Sequence, residues 1–415
     1  LSIFDSVPIA GTFSKDSTFW GGKNFPIKYI VEGSGYSVRG SNGSWYIDWV
    51  GGLGACLLGW GQDAEKTAFT SHIIMHVEKG NGFSLPYYLE YTVASKLNQI
   101  LNWHVPGWSN TDLQTRWVKS GSDACNVAIR LSRAITGKNA VCSSGYHGQA
   151  DQFVILTPPA HGIPKEVGMH MHPFVLGDMS SLDQWDGKNA LAAVIFEHGI
   201  DELPINYYGE LREFCNRNNC LMIVDEVVTG LRYSMGGACE KYNIQPDIIC
   251  MGKSLGNGYP IAATVAPKEF MSWFARNDPV FVSSTNAGDS ISLAACDYIL
   301  DHWTQKRIDE LYKVGDMLIS GLRTVGCDVI GHAPRSVLQF KNEIRRAGFI
   351  RGMEEHGVLI NRPNVPSAAH NKVAVDHTVK AAFDVNNKLA EMNDEAILAA
   401  LGGEDGLPRR LFTNR

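Results

Sequence analysis

Residues 221–260 read LMIVDEVVTGLRYSMGGACEKYNIQPDIICMGKSLGNGYP. Two short apolar runs, Leu221 to Val224 and Asp247 to Met251, are bounded by turn residues and have the length and composition of buried parallel strands. Each delivers charge at its C-terminal end, where open α/β sheets place their ligand crevices. Asp225 and Glu226 close the first run and Lys253 closes the second. The Gly256-Asn257-Gly258-Tyr259-Pro260 turn then lets backbone pass beside the lysine without side-chain interference.

An amine and a carboxylate so placed suit pyridoxal 5′-phosphate, whose aldehyde needs an amine and whose ring nitrogen needs a carboxylate. Lys253 would supply the first and Asp225 the second. Taken as bare residues, Asp225 could equally cap a loop and Lys253 be a solvated lysine. The neighbouring words decide between these readings. Asp225 to Arg232, DEVVTGLR, and Gly252 to Pro260, GKSLGNGYP, resemble the Asp-Glu-Val-x-Thr-Gly-x-Arg and lysine motifs of the class III, fold-type I aminotransferases. Ornithine and GABA aminotransferases and glutamate-1-semialdehyde aminomutase are members. The resemblance runs from about residue 10 to about residue 395, with spacing nearest the aminomutase branch.

It implies an α/β fold with a mainly parallel, seven-stranded type of sheet flanked by helices, and a smaller α+β domain built from both chain ends. The boundaries expected are residues 1–60 for the N-terminal part of the small domain, 61–305 for the large cofactor domain and 306–415 for the C-terminal small domain. A chain of 415 residues can bury cores of this size.

Composition excludes several other classes. A formal net charge of −6 leaves no electrostatic footprint for nucleic acid or an acidic membrane. Nine cysteines, scattered from Cys56 to Cys327 with no CxxC pair, fit reduced core residues of a cytoplasmic enzyme better than a disulfide or zinc framework. No signal peptide and no apolar run near membrane-spanning length is evident. Gly252-Lys253-Ser254 is not a nucleotide loop, because Asp247 stands where Walker A needs its first glycine.

Several further stretches carry candidate site residues. Trp117 to Gly148 predicts a strand running into Ser120-Gly121-Ser122-Asp123 and a helix from about Ala124 to Ile135. Free N–H groups and a hydroxyl at a helix start suit a phosphate, while Ser122 as an ordinary N-cap is the alternative. The family's Ser-Gly-Thr-Glu-Ala phrase matches here, which assigns Gly121 and Ser122 to the phosphate. Tyr146-His147-Gly148 matches the family's Tyr-His-Gly, implying that the Tyr146 ring covers one face of the cofactor ring and Val227 the other, with His147 at the same site. Glu197 stands where the family has Glu-Pro, beside cofactor and substrate. Here the next residue is His198.

Ser283 to Gly288 holds Thr285, by composition a turn or cap residue. The resemblance implies that Thr285 reaches the phosphate of a neighbouring subunit, making the protein a homodimer with shared sites. Arg362 and Asn364 follow a Gly-Val-Leu-Ile strand where relatives place substrate-facing residues, with a solvated arginine as the equal alternative. Gly11 to Lys15, with Thr12, Ser14 and Lys15, sits where the aminomutase branch contacts substrate, and Leu53 stands where that branch usually has tryptophan. The pairs His72/His76 and His170/His172 lack further metal ligands and read as structural.

The implied reaction is amino-group transfer. Lys253 holds the cofactor as a Schiff base, an amine displaces it, and the pyridoxamine form then aminates a carbonyl, on a second molecule for a transaminase or the same molecule for an aminomutase. A specialised biosynthetic or tailoring pathway is the expected setting. A lyase or decarboxylase on the same scaffold is the rival reading.

Overall fold

The computed structural model describes Gly22 and residues 24–408, apart from 61–63, 158–159, 184–186 and 201. The Gly11–Lys15 stretch lies outside the described residues. The chain divides into two compact units, one from Gly51 to Lys313 and one made of the described residues before Gly51 together with those from Val314 onward.

The Gly51–Lys313 unit is built on a seven-stranded sheet. Its strands run in the spatial order Leu113–Val118, Ala262–Pro267, Ile248–Met251, Leu221–Asp225, Leu191–Phe196, Ala140–Ser144 and Met171–Pro173. The last five of these pair in parallel. Ala262–Pro267 is antiparallel to both its neighbours. The Leu191–Phe196 strand is buried at every position, as expected where helices cover both faces of a parallel sheet. Its register with Leu221–Asp225 and that strand's register with Ile248–Met251 bring Phe196 beside Val224 and Asp225 beside Cys250. The sequence predicts the Leu221–Asp225 and Ile248–Met251 strands to within a residue.

Two helices differ from expectation. The helix after the Ser-Gly-Ser turn begins at Gly121 rather than near Ala124, and runs to Thr136. Ser120 is its N-cap, accepting the Asp123 N–H at 3.2 Å while the Asp123 carboxylate takes the Ser120 N–H at 3.0 Å. This reciprocal capping box satisfies donors at the helix start, so the cap is Ser120, not Ser122. The amphipathic pattern from about Ser290 to Val325 predicts one long helix, but the chain forms two, Ser290–His302 and Gln305–Thr324. Trp303 breaks it: the ring is 2% exposed and its Nε1–H donates to the Leu231 carbonyl at 2.6 Å. That anchor holds Trp303 extended, at φ −86° and ψ 124°.

In the other unit the Asn42-Gly43 pair, a strong hairpin signal in sequence, turns a hairpin that pairs Ser37–Gly40 with Trp45–Asp48. Ile30–Ser34 joins one edge, and Val358–Leu359 adds in parallel at the other. Trp49 lies at its core, donating to Thr378 Oγ1 at 2.8 Å and stacked 4.2 Å from His370. Asn364 is buried and structural here: its N–H donates to the Ser336 carbonyl at 2.7 Å and its Oδ1 accepts the Asn361 N–H at 3.3 Å. Arg362 is half-buried rather than freely solvated, and burial together with nearby Arg346 lowers its pKa.

Candidate active site

The C-terminal ends of the parallel strands bring three of the motifs together. A Cβ added at Gly121 would fall 2.7 Å from both methyl groups of Val227, and one at Gly252 would fall 3.5 Å from Val227 Cγ1 and 3.7 Å from the Gly121 Cα. The Ser-Gly-Ser turn, the Asp-Glu-Val turn and the Gly-Lys turn therefore touch. Val227 keeps part of its surface open. Lys253 follows directly, half-buried, with φ at +42°. A left-handed backbone on a lysine costs conformational energy of the kind that folds retain at functional positions.

The lysine turn is braced from behind. Asn257 Oδ1 accepts the N–H groups of Leu57 and Leu58 at 2.7 and 2.9 Å. The Gly54 carbonyl accepts from Ser254 Oγ at 3.2 Å and from Arg232 Nη2 at 3.1 Å. Gly52 and Leu53 just before it are both left-handed, at φ +63° and +60°. The Arg of the Asp-Glu-Val-x-Thr-Gly-x-Arg phrase thus reaches the lysine turn by way of this loop.

Of the two adjacent acids, only Asp225 belongs to the crevice network. Its Oδ2 meets His147 Nδ1 at 2.7 Å and the Cys125 thiol at 3.4 Å, and its Oδ1 accepts the Val227 N–H at 3.0 Å. Glu226 turns away into the core, where its carboxylate takes the Ala238 and Cys239 N–H groups at 2.9 and 2.7 Å and the Thr229 hydroxyl. Burial raises the Glu226 pKa against those hydrogen bonds. Its partners make it a turn lock.

His147 is 2% exposed, so it does not share the open face of its neighbour Tyr146, which is 48% exposed. Its Nε2 lies 3.1 Å from the Ser144 carbonyl. Both ring nitrogens thus face acceptors, which requires both to carry protons. Burial alone would depress its pKa, but the Asp225 carboxylate outweighs that and pushes it up to about 10. Cys125, His147 and Asp225 are the one group among the described residues whose potential metal-ligand atoms lie within 4.8 Å of one another. Hydrogen bonds account for it, since His147 has no lone pair left for a metal.

At the helix start, Gly121 and Ser122 occupy the first positions of a 16-residue helix, where N–H groups have no intrahelical acceptor. Ser122 Oγ accepts the N–H groups of Gln149 and Ala150 at 3.0 and 3.2 Å, which leaves its hydroxyl proton and backbone N–H to offer. That hydroxyl holds the segment after Tyr146-His147-Gly148 against the turn. The approach needs Gly148, because a Cβ there would lie 2.3 Å from Ser122 Cβ.

Glu197 follows the Leu191–Phe196 strand, its N–H donating to the Ser144 carbonyl at 3.1 Å. A Cβ on Gly145 would lie 3.0 Å from Glu197 Cβ and 3.4 Å from His147 Cε1, so Glu197 borders the His147–Asp225 pair. His198, which stands in place of the family's proline, is 1% exposed, stacked 3.9 Å from Tyr242 and hydrogen-bonded to the Tyr208 hydroxyl. Tyr233 donates to the Gly199 carbonyl at 3.2 Å. Aromatic packing thus holds a turn that a proline would hold through its fixed φ.

Thr285 is exposed in the turn that precedes Ser290–His302. Asp289 N-caps that helix through the Ser292 N–H at 3.0 Å and pairs with Lys119, which also donates to Ser292 Oγ at 3.0 Å. The histidines at 72 and 76 have protein partners: Asp297 Oδ2 at 3.2 Å and the Tyr87 hydroxyl at 3.1 Å. Cys125 and the capping role of Ser120 were not singled out from sequence. The S-x-x-D spacing from Ser120 to Asp123 carries the capping signal. Cys125 carries none, because its contact with Asp225 spans a hundred residues.

Comparison with known proteins bears on the family and the fold. A glutamate-1-semialdehyde 2,1-aminomutase of Francisella philomiragia is 30% identical in an alignment of length 292 that covers 66% of this chain and 64% of that protein. A solved transaminase with pyridoxal phosphate bound superposes with a TM-score of 0.81 at 21% identity, over 90% of this chain and 94% of its own. A glutamate-1-semialdehyde aminomutase from Pseudomonas aeruginosa PAO1 gives 0.77 at 19% identity, over 90% of each chain. These two share the fold. The model of the class-III aminotransferases, a family dependent on pyridoxal phosphate, matches residues 21–364, and the chain belongs to that family.

Proposed function

We propose that this protein is a pyridoxal 5′-phosphate-dependent enzyme that moves an amino group between carbon atoms of small molecules, as an aminotransferase or an aminomutase. The observation that carries the reading is the convergence of the Gly252-Lys253 turn, Asp225 and the open amides of Gly121 and Ser122 around Val227. The residues fit the cofactor. The Gly121–Val227 contact leaves a cradle without a side chain beside two free N–H groups, and the buried Asp225 keeps a lone pair on Oδ1.

When bound, the cofactor supplies an aldehyde for amines and a ring that draws electron density from the carbon bearing the amine. The chain's own groups divide the remaining work. Lys253 would hold the cofactor through Nζ, and as a free amine Nζ would accept the proton leaving the substrate carbon and donate it back to carbon when the amino group is passed on. Asp225 accepts the ring N–H and keeps it protonated. Gly121 and Ser122 hold the phosphate through N–H groups, with the Ser122 hydroxyl as a further donor. Tyr146 and Val227 hold the ring plane from opposite faces. His147 acts through Asp225, and Glu197 borders the substrate. Thr285 of a second copy completes the phosphate site, which makes the working form a homodimer.

Borohydride reduction of protein incubated with pyridoxal phosphate, followed by peptide mass spectrometry, tests the reading. The adduct is expected on Lys253, and its absence there sinks the proposal. Single-turnover absorbance with candidate amines then separates amino transfer, which converts the cofactor band reversibly with a keto acceptor, from a lyase or decarboxylase, which does not.

A further inference from the structure

A carboxylate offers about four lone-pair directions, and in Asp225 the two oxygens are unequally filled. On Oδ2, His147 Nδ1–H takes one direction at 2.7 Å and the Cys125 thiol the other at 3.4 Å. On Oδ1, among the described residues, only the Val227 N–H is in place, at 3.0 Å. Cys125 is 0% exposed. Burial and the neighbouring Cys250 raise its pKa well above the usual thiol range, so it stays S–H and donates. It also sits four residues after Gly121 on the same helix, and residues four apart share a helix face. One face of that helix therefore presents open amides at its start and a thiol donor one turn later.

We propose that Cys125 is a positioning residue: by closing Oδ2 it leaves Oδ1 as the acceptor for a ligand's cationic ring N–H. The inference rests on the cofactor reading above and names the atom that receives the ring. Without the thiol the carboxylate has an open direction on each oxygen and two ways to meet the ring nitrogen. With it there is one.

The test compares Cys125→Ala, which removes the donor without adding bulk, and Cys125→Val, which removes it while adding a methyl group, with Cys125→Ser, which keeps a donor. Two measurements are made on the full chain: the dissociation constant of pyridoxal 5′-phosphate by fluorescence titration, and the His147 imidazole N–H resonance of cofactor-free protein labelled with ¹⁵N-histidine. We expect Cys125→Ala and Cys125→Val to bind the cofactor about three- to tenfold more weakly and Cys125→Ser to stay within about twofold of the parent, the range a single modest hydrogen bond supports. The resonance should move in Cys125→Ala and Cys125→Val and return in Cys125→Ser. Equal weakening in all three variants, parental affinity in Cys125→Ala, or an unmoved resonance overturns the proposal. If the parent chain itself takes up no cofactor, the amino-transfer reading fails, and the resonance alone decides whether Cys125 orders the carboxylate.

Discussion

The imidazole of His147 stands between two acceptors, with Asp225 Oδ2 2.7 Å from Nδ1 and the Ser144 carbonyl 3.1 Å from Nε2. Its charge follows from that placement. With the folded pKa raised to about 10 above an unfolded value of about 6.5, the folded state holds more protons between those values. Stability from this pair is therefore fully present below about pH 6.5 and is lost as pH rises toward about 10. Thermal melts of cofactor-free protein should show a midpoint that falls across this window. His147→Asn should flatten that part of the profile, and an unchanged slope in the variant would refute the assignment.

Glu226 and Asp225 are neighbours in sequence with separate tasks. Glu226→Gln would keep one acceptor oxygen and set its amide N–H₂ against one of the two N–H donors, Ala238 or Cys239. Leaving a buried donor without an acceptor costs about 1–3 kcal/mol. Urea denaturation should read that loss, while the cofactor dissociation constant stays within about twofold, since Glu226 faces away from the crevice. A cofactor defect with unchanged stability would show the roles to be the reverse.

Gly121→Ala should damage the site by shape. Its methyl group would fall 2.7 Å from both Val227 methyls, and overpacking of this kind costs about 1–3 kcal/mol. Val227→Ala in the same chain should restore most of the melting temperature without restoring cofactor affinity, because Val227 is also lost from the ring face. Full recovery of both would mean that Val227 does not flank the ring.

Ser120→Ala removes a helix cap and should cost about 1 kcal/mol. Ser122→Ala instead frees the Gln149 and Ala150 N–H groups and removes a donor from the helix start, so its larger effect should fall on cofactor binding. Calorimetry and fluorescence titration on the two variants separate these effects. Equal profiles would mean that capping and anion binding are not divided between the two serines.

Much of this site was legible in the chain because its signals are local. Leu221–Asp225 and Ile248–Met251 are short apolar runs ended by charge, the Ser-Gly-Ser turn precedes a periodic helix, and each phrase is contiguous. The helix break at Trp303 was not legible, since it comes from a hydrogen bond to Leu231 that apolar periodicity does not register. The stacking of His198 on Tyr242 was hidden for the same reason, as it joins residues from separate elements.

Sequence alone thus determined which strands form, which turns carry charge and which cofactor chemistry those residues suit, because hydrophobic period and turn composition act over a few residues. Tertiary structure decided that Asp225 faces the crevice while Glu226 locks a turn, that His147 lies beneath the carboxylate, and that Cys125 joins it. Those assignments depend on strand register and helix packing between segments far apart in the chain, and a one-residue slip in a strand would exchange the two acids between faces.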